Sequence, residues 1–261
     1  MSAEASSAVA DDAHGDHGHD DHGHDHPKFL AHHFDTPIQQ FESAKLGMWT
    51  FLVQELLFFS GLFVAYGVFR SWYPEAFSGA SHELNKVMGA GNTIVLLFSS
   101  WTAAMAVRAT QLGQKKQTSL FLLVTIACAF IFLGVKYFEY GAKFHEGLLP
   151  GKYFGHAFTA AGIFPESTFP TNLEPSEHLP AHASSYFSLY FMMTGVHALH
   201  IIVGIGVLIW IWRRNESGEF SKEYFTPVDI AALYWHLVDL VWIYLFPLLY
   251  LIDYVPHGGH H

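Results

Sequence analysis

The chain has 261 residues, of which 51% are hydrophobic and only 14% charged, whereas a soluble domain usually carries about a quarter charged residues. The apolar residues occur in long runs, which is typical of an integral membrane protein and argues against a soluble globular domain. The net charge of -10 comes largely from the first 26 residues, which contribute -7. No basic surface therefore suggests a nucleic-acid partner.

Residues 1–40 are predicted to form a disordered tail rich in His and Asp, because this low-complexity segment has little apolar surface to bury. Imidazoles that alternate with carboxylates suit Zn, Cu or Ni. A metal site is therefore an open alternative at His14, His17, His19, His22, His24 and His26. The favoured interpretation is a solvated, pH-responsive tail without a fixed metal geometry.

Five apolar segments follow within residues 41–254, and each has the length of about 20 residues that a helix needs to cross a hydrocarbon core. These predicted spans are residues 46–69, 87–107, 118–140, 185–212 and 230–252, with 255–261 as a short C-terminal tail. The predicted fold class is all-α, an integral membrane bundle of five transmembrane helices. The one cysteine, Cys128, lies inside a span and is predicted to be a buried structural thiol.

Basic residues orient this bundle. They lie in the loops after the second and fourth spans, at 108–116 and 213–222. By the positive-inside rule these loops are cytoplasmic, which places the N-terminus in the cytoplasm and the C-terminus in the periplasm. In the second span, the pairs Ser99/Ala103 and Ser100/Ala104 have the small-xxx-small spacing that lets helices approach closely in lipid.

Ionisable side chains inside the spans are the most informative feature, since each costs about 2.5–3.5 kcal/mol at a helix centre and should face protein rather than lipid. Glu55 lies well inside the first span. The remaining polar set of the bundle comprises Lys136, Glu139, His197, His200, His236 and Asp239, with Trp235 and Trp242 on one stripe of the fifth span.

Residues three apart on a helix are neighbours. This spacing predicts a Lys136–Glu139 pair and a hydrogen bond from His236 toward Asp239, and it puts His197 and His200 on one face. The favoured interpretation is hydrogen bonding between helices, and proton handling is the second interpretation.

A haem site is a further alternative, since one of the fourth-span histidines opposite His236 would supply an axial ligand on each side of a ring. The sequence has no HExxH, P-loop, GxSxG or dinucleotide fingerprint. It therefore predicts no self-contained active site.

Four motifs, together with KYFEY at 136–140, carry a resemblance to a known family. They are QELLFFSGLFVAY at 54–66, GNTIVLLFSS at 91–100, YFMMTGVHALHIIVG at 190–204 and AALYWHLVDLVWIYLF at 231–246. In this order they resemble subunit III of the haem–copper respiratory oxidases, the cytochrome c oxidase subunit III family. The mitochondrial-type subunit has a further pair of helices ahead of the Glu-bearing one, so the chain is similar to the five-helix bacterial form.

The resemblance implies a non-catalytic subunit of a terminal oxidase in the bacterial inner membrane, supporting subunit I in proton-coupled oxygen reduction and aerobic electron transport. It implies no cofactor in this chain, with haem and copper in partner subunits I and II, and bound phospholipid. It also implies assembly into a larger respiratory supercomplex. Glu55 matches the carbodiimide-reactive membrane carboxylate of the family, and Glu55, His200 and Arg213 match its lipid-binding positions.

Two other functions are open at this point, an accessory protein of nitric oxide reductase and an independent proton or metal carrier. The electron donor of the oxidase, cytochrome c or quinol, is also open because donor sites lie on other subunits.

Overall fold

The structure is a computed structural model that describes residues 30–31, 34–145, 148–149 and 182–252. This part of the chain contains six α-helices and no β-strand: α1 (Pro37–Trp72), α2 (Pro74–Ser81), α3 (Lys86–Gln111), α4 (Lys115–His145), α5 (Ala183–Glu216) and α6 (Thr226–Tyr250). Five of them, all except α2, are long and apolar enough to cross a membrane. The predicted all-α membrane fold is therefore confirmed.

The helix ends differ from the predicted spans where local chemistry extends or stops a helix. α1 begins at Pro37, inside the segment predicted as a tail, because Thr36 Oγ1 accepts a hydrogen bond from the Gln39 N–H at 3.2 Å and Pro suits a first turn. α6 begins at Thr226 with a proline in its first turn and ends at Tyr250, before the predicted end at residue 252. Residues 1–29, with the predicted metal-binding histidines, lie outside the described residues.

The short helix α2 was not predicted. Its proline in the first turn starts the helix, and Phe77 is fully buried between Tyr66 and Tyr186, with ring centroids 5.2 and 5.3 Å away. These eight residues are far too short to span a membrane, so the hydropathy that reveals the other helices does not reveal this one.

Helices α3, α4, α5 and α6 form a closed ring of four, in which α3 and α5 each contact both α4 and α6. Trp235 and Trp242 fill its centre and are fully buried. The ring closes tightly where small residues meet them, since Ser99 and Ala103 are buried and Gly204 lies against the Trp235 ring. Cys128 is buried as predicted.

Helix α1 lies outside this ring and is the least buried of the long helices. Side chains attach it to α6: Phe51 packs on Tyr234, with ring centroids 6.0 Å apart, and Lys45 forms a 3.2 Å ion pair with Asp229.

The last carbonyls of α6 lack partners within the helix, as at any helix C-terminus, and hydroxyl groups from other helices supply donors. Tyr66 donates to the Leu248 carbonyl at 2.5 Å, and Tyr186 donates to the Leu249 carbonyl at 2.6 Å. α1 and α5 therefore meet α6 at this end through polar contacts that satisfy its backbone.

At the opposite end, the start of α4 is bonded to the end of α5. Lys115 Nζ donates to the Glu216 carbonyl at 2.5 Å, and Ser119 donates to the Glu216 carboxylate at 2.5 Å. Arg214, in the last turn of α5, hydrogen-bonds to Glu219 just beyond the helix and holds the pKa of that carboxyl below its usual value. The two loops rich in basic residues thus lie at the same end of the ring.

Candidate functional site

A buried ion pair joins three helices of the ring. Lys136 and Glu139 lie 3.1 Å apart and are each 4% exposed, which confirms the predicted pair. Lys136 Nζ also donates to the hydroxyl groups of Tyr250 at 2.8 Å and Tyr190 at 3.2 Å. Both hydroxyl groups in turn donate to Glu139 Oε1, the one from Tyr190 at 2.8 Å. We call these four residues the Lys136 cluster.

The cluster satisfies the conditions under which a buried ion pair is tolerated. Each buried charge must be balanced by an opposite charge. In a low-dielectric interior, the remaining donors and acceptors must also have hydrogen-bond partners. Here the ammonium group has three oxygen partners and lies 5.1 Å from the centroid of the Trp242 ring. Tyr190 and Tyr250 were missed at the sequence level, although a phenol inside an apolar span signals a need for a hydrogen-bond partner.

His197 lies in the centre of the ring and is fully buried. Its imidazole stacks on Trp242 at 5.3 Å and meets the edge of Phe132 at 5.6 Å. Neither ring nitrogen has a hydrogen-bond partner among the described residues. His197 thus contacts α4 and α6, whereas His200, three residues further along α5, contacts α1.

His200 instead pairs with Glu55 on α1, with 3.0 Å between Nε2 and Oε2. Its Nδ1 lies 2.8 Å from the Val196 carbonyl, which accepts only, so Nδ1 carries a proton and donates. Nε2 then either donates to a carboxylate as part of an imidazolium or accepts from a protonated carboxyl. In both cases the two side chains share one proton and carry no net charge.

The Glu55–His200 pair is partly accessible from outside the bundle. The side chains of Glu55 and His200 are 14% and 17% exposed, and both residues lie near the middle of their helices. The ring of Phe59 covers His200 at a centroid distance of 5.1 Å. This pair is thus a neutral polar site at the edge of α1 and α5, deep within the membrane-spanning region.

Arg213, the third predicted lipid-binding residue, is not brought to this pair. It lies thirteen residues beyond His200 on α5 and is exposed, which places it about 20 Å further along the helix axis at the rise of an α-helix. The three predicted lipid-binding residues therefore lie at two levels of the bundle, with Glu55 and His200 together and Arg213 near the end of α5. Sequence alone shows that residues share a helix, but a shared helix does not make a shared site.

The predicted hydrogen bond from His236 to Asp239 is wrong. His236 Nδ1 instead contacts the Ser100 hydroxyl of α3 at 2.6 Å. Asp239 is 2% exposed, and neither of its oxygens has a hydrogen bond within the described chain, although Ser100 lies close enough to interact with it. The i,i+3 spacing brings two side chains near each other but does not fix which way each one turns.

The two tryptophans of the predicted stripe connect α6 to α3. Trp235 Nε1 donates to Ser99 at 2.7 Å, and Trp242 Nε1 donates to Thr93 at 3.1 Å. Both act as interhelical anchors within the ring.

The geometry does not support the haem alternative. Both nitrogens of His200 are engaged, His236 is bonded to α3, and His197 stacks on Trp242, so these three imidazoles are not arranged as a pair of axial ligands. In the described ranges, no group of three His, Cys, Asp or Glu side chains is placed to hold a metal ion.

The family model for cytochrome c oxidase subunit III matches residues 177–254, the part that includes α5 and α6. A cytochrome c oxidase subunit 3 from Corynebacterium diphtheriae is 30% identical over 215 residues, covering 80% of this chain and 87% of the relative. One from Synechocystis is 29% identical over 222 residues, covering 85% and 78%. A quinol oxidase subunit 3 from Bacillus spizizenii is 28% identical over 212 residues, covering 79% and 86%.

Five apolar helices and these bacterial relatives define a multi-pass protein of the bacterial inner membrane. The chain belongs to the cytochrome c oxidase subunit III family. Members of this family are subunits of haem–copper oxidase complexes, which are oxidoreductases and carry their cofactors in other subunits.

Proposed function

We propose that this chain is the non-catalytic third subunit of a bacterial terminal oxidase and supports the catalytic subunit in proton-coupled oxygen reduction. Family membership carries the proposal. It is supported by the Lys136 cluster, in which each charged or hydroxyl group already has a partner inside the chain. Such a cluster stabilises helix packing and offers no free group to a substrate.

The haem and copper of the oxidase belong, in this proposal, to partner subunits I and II. The relatives include cytochrome c oxidase and quinol oxidase subunits, so the proposal concerns the oxidase and not one electron donor. They also favour an oxidase over the nitric oxide reductase and ion-carrier alternatives.

Purification through an affinity tag on this chain tests the proposal. A subunit that contains haem a or haem o should co-purify in a fixed ratio, and the chain separated from it should show no Soret absorption. Stoichiometric haem in the isolated chain, or purification without any haem-containing partner, would overturn the proposal.

We also propose that the loop ends joined by Lys115 and Glu216 face the cytoplasm. Their basic residues lie at one end of the ring, which the positive-inside rule assigns to the cytoplasmic side. The N-terminus is then cytoplasmic and the C-terminus periplasmic.

Phospholipid binding is proposed along the outer side of α5. Arg213 would contact the headgroup at the basic end of the helix. The acyl chains would run toward the Glu55–His200 pair, since about 20 Å of helix separates the two positions and half of a hydrocarbon core is about 15 Å. The partial exposure of Glu55 and His200 supports this path.

Substitution Glu55→Gln is expected to leave assembly intact while abolishing labelling by dicyclohexylcarbodiimide at this position. The amide has the shape of the carboxyl, can hydrogen-bond to His200 Nε2, and removes the burial cost of a charge. The measurements are the ratio of this chain to haem in purified oxidase and the carbodiimide label recovered on the chain.

Glu42→Gln is the matched control for this prediction, because Glu42 lies on the same helix and is exposed. This variant should keep both the label and the ratio. Loss of the complex from the membrane in Glu55→Gln would contradict the prediction and assign a structural role to the carboxylate.

A further inference from the structure

His236 presents an unpaired nitrogen on the outside of the bundle. His236 is half-buried, whereas His197 is fully buried. Nδ1 is bonded to Ser100. Nε2 has no hydrogen bond to any described residue, and it is not among the enclosed unpaired atoms, so it reaches the surface between α3 and α6.

The depth of His236 in the membrane limits which groups can hydrogen-bond to Nε2. The residue lies ten positions after Thr226 in a helix of 25 residues, which is about 15 Å from the helix start. At this depth acyl chains offer neither donor nor acceptor, so an unpaired polar group is unfavourable there. Lipid headgroups lie too far away to serve. The missing partner is therefore a polar group on another protein within the membrane.

The surface around His236 has the features of a membrane helix interface. Leu97 on α3 and Leu240 and Ile243 on α6 are exposed apolar side chains. Between them α3 presents the pair Ser100/Ala104, half-buried and exposed respectively. The neighbouring small pair of α3, Ser99/Ala103, is buried inside the ring. Small residues between larger apolar ones let a second helix approach closely, and one polar group fixes its register.

We propose that this groove, formed by Leu97, Ser100, Ala104, His236 and Leu240, docks a transmembrane helix of the oxidase's catalytic subunit. His236 Nε2 would hydrogen-bond to a hydroxyl or amide side chain of that helix near the middle of the membrane. The inference rests on the proposed function, which supplies the partner, and it adds which face of this chain and which atom make the contact.

Two amide substitutions test the two ring nitrogens of His236 one at a time. In His236→Asn the amide nitrogen can replace Nδ1 and keep Ser100, but nothing reaches the position of Nε2. In His236→Gln the longer side chain places its amide near the position of Nε2. An interhelical hydrogen bond in membranes is worth about 0.6 kcal/mol, which corresponds to a roughly threefold change in association.

The measurement is the fraction of this chain that stays with the haem-containing subunit as detergent is increased, after normalisation to the amount of chain in the membrane. His236→Asn should dissociate at roughly threefold lower effective affinity, and His236→Gln should behave like the unaltered chain. Equal behaviour of the two variants, or weaker association of His236→Gln, would overturn the role of Nε2.

Photo-crosslinking identifies the occupant of the groove independently. A benzoylphenylalanine at Leu240 should crosslink to the catalytic subunit, whereas one at Phe130, an exposed position on α4, should not. Crosslinks from residue 240 to lipid alone, or to the catalytic subunit from residue 130 alone, would overturn the inference while the proposed function stands. A chain that never co-purifies with the haem-containing subunit would overturn both.

Discussion

Substitution Lys136→Met is expected to destabilise the folded chain by about 3–5 kcal/mol, because it leaves one charge of a buried pair without its partner. Glu139 would keep the hydrogen bonds from Tyr190 and Tyr250 but would lose the only cation of the Lys136 cluster. Unfolding can be followed through Cys128, the one cysteine of the chain, which is buried and becomes reactive to a maleimide when the ring opens.

Two further variants make this prediction specific. Lys116→Met applies the same chemical change to an exposed lysine in the first turn of α4 and should leave the labelling transition unchanged. The double variant Lys136→Met with Glu139→Leu removes both charges and should be more stable than the single variant. A double variant that is less stable than Lys136→Met would contradict the description of these residues as one charge-balanced unit.

Substitution Gly204→Ala is expected to cost about 1–3 kcal/mol, as added volume does in a well-packed interior. A Cβ atom at this position would lie 2.7 Å from Cζ3 of Trp235 and 3.2 Å from Cε1 of Tyr234. The Trp235 side chain has little room to move away from the added methyl group, because it is fully buried and its indole N–H donates to Ser99. The loss of unfolding free energy can be measured by the same maleimide labelling of Cys128.

Gly206→Ala is the matched control for this substitution, two residues further along α5. No atom lies within 4 Å of the Cβ that it would add. Replacing Gly by Ala in a helix interior gains up to about 1 kcal/mol, so this variant should be as stable as the unaltered chain or more so. Equal destabilisation by both alanines would show that backbone effects, and not contact with Trp235, decide the outcome.

The spans and the Lys136–Glu139 pair were predictable because both depend on local sequence. A run of apolar residues reveals a spanning helix at once, and an i,i+3 spacing brings two side chains together whatever surrounds the helix. The short helix α2 has neither signal, and its one strong contact, the burial of Phe77 between α1 and α5, depends on the tertiary structure.

Partners on other helices were not predictable in this way. The pairing of Glu55 with His200 and of His236 with Ser100 depends on how each helix is rotated about its axis and how far it is shifted against its neighbours. A single sequence specifies neither quantity. For this reason the polar residues of the spans could be named from the sequence, while the bond from His236 was assigned to the wrong neighbour, Asp239.

The polar residues of the spans divide into two groups with different consequences. Lys136, Glu139, His197 and Asp239 are buried within the ring, where they affect the stability of the chain itself. The Glu55–His200 pair and His236 lie at its outer edges. The outer group is where substitutions are expected to change lipid or subunit contacts while leaving the fold intact.

The assignment as a non-catalytic oxidase subunit can be checked by a cryo-electron microscopy structure of the oxidase purified through this chain. We expect the chain to lie against a haem-containing catalytic subunit, and we expect His197, His200 and His236 to ligate no redox group. A haem or copper bound by any of these imidazoles, or an assembly that lacks an oxygen-reducing subunit, would contradict this assignment.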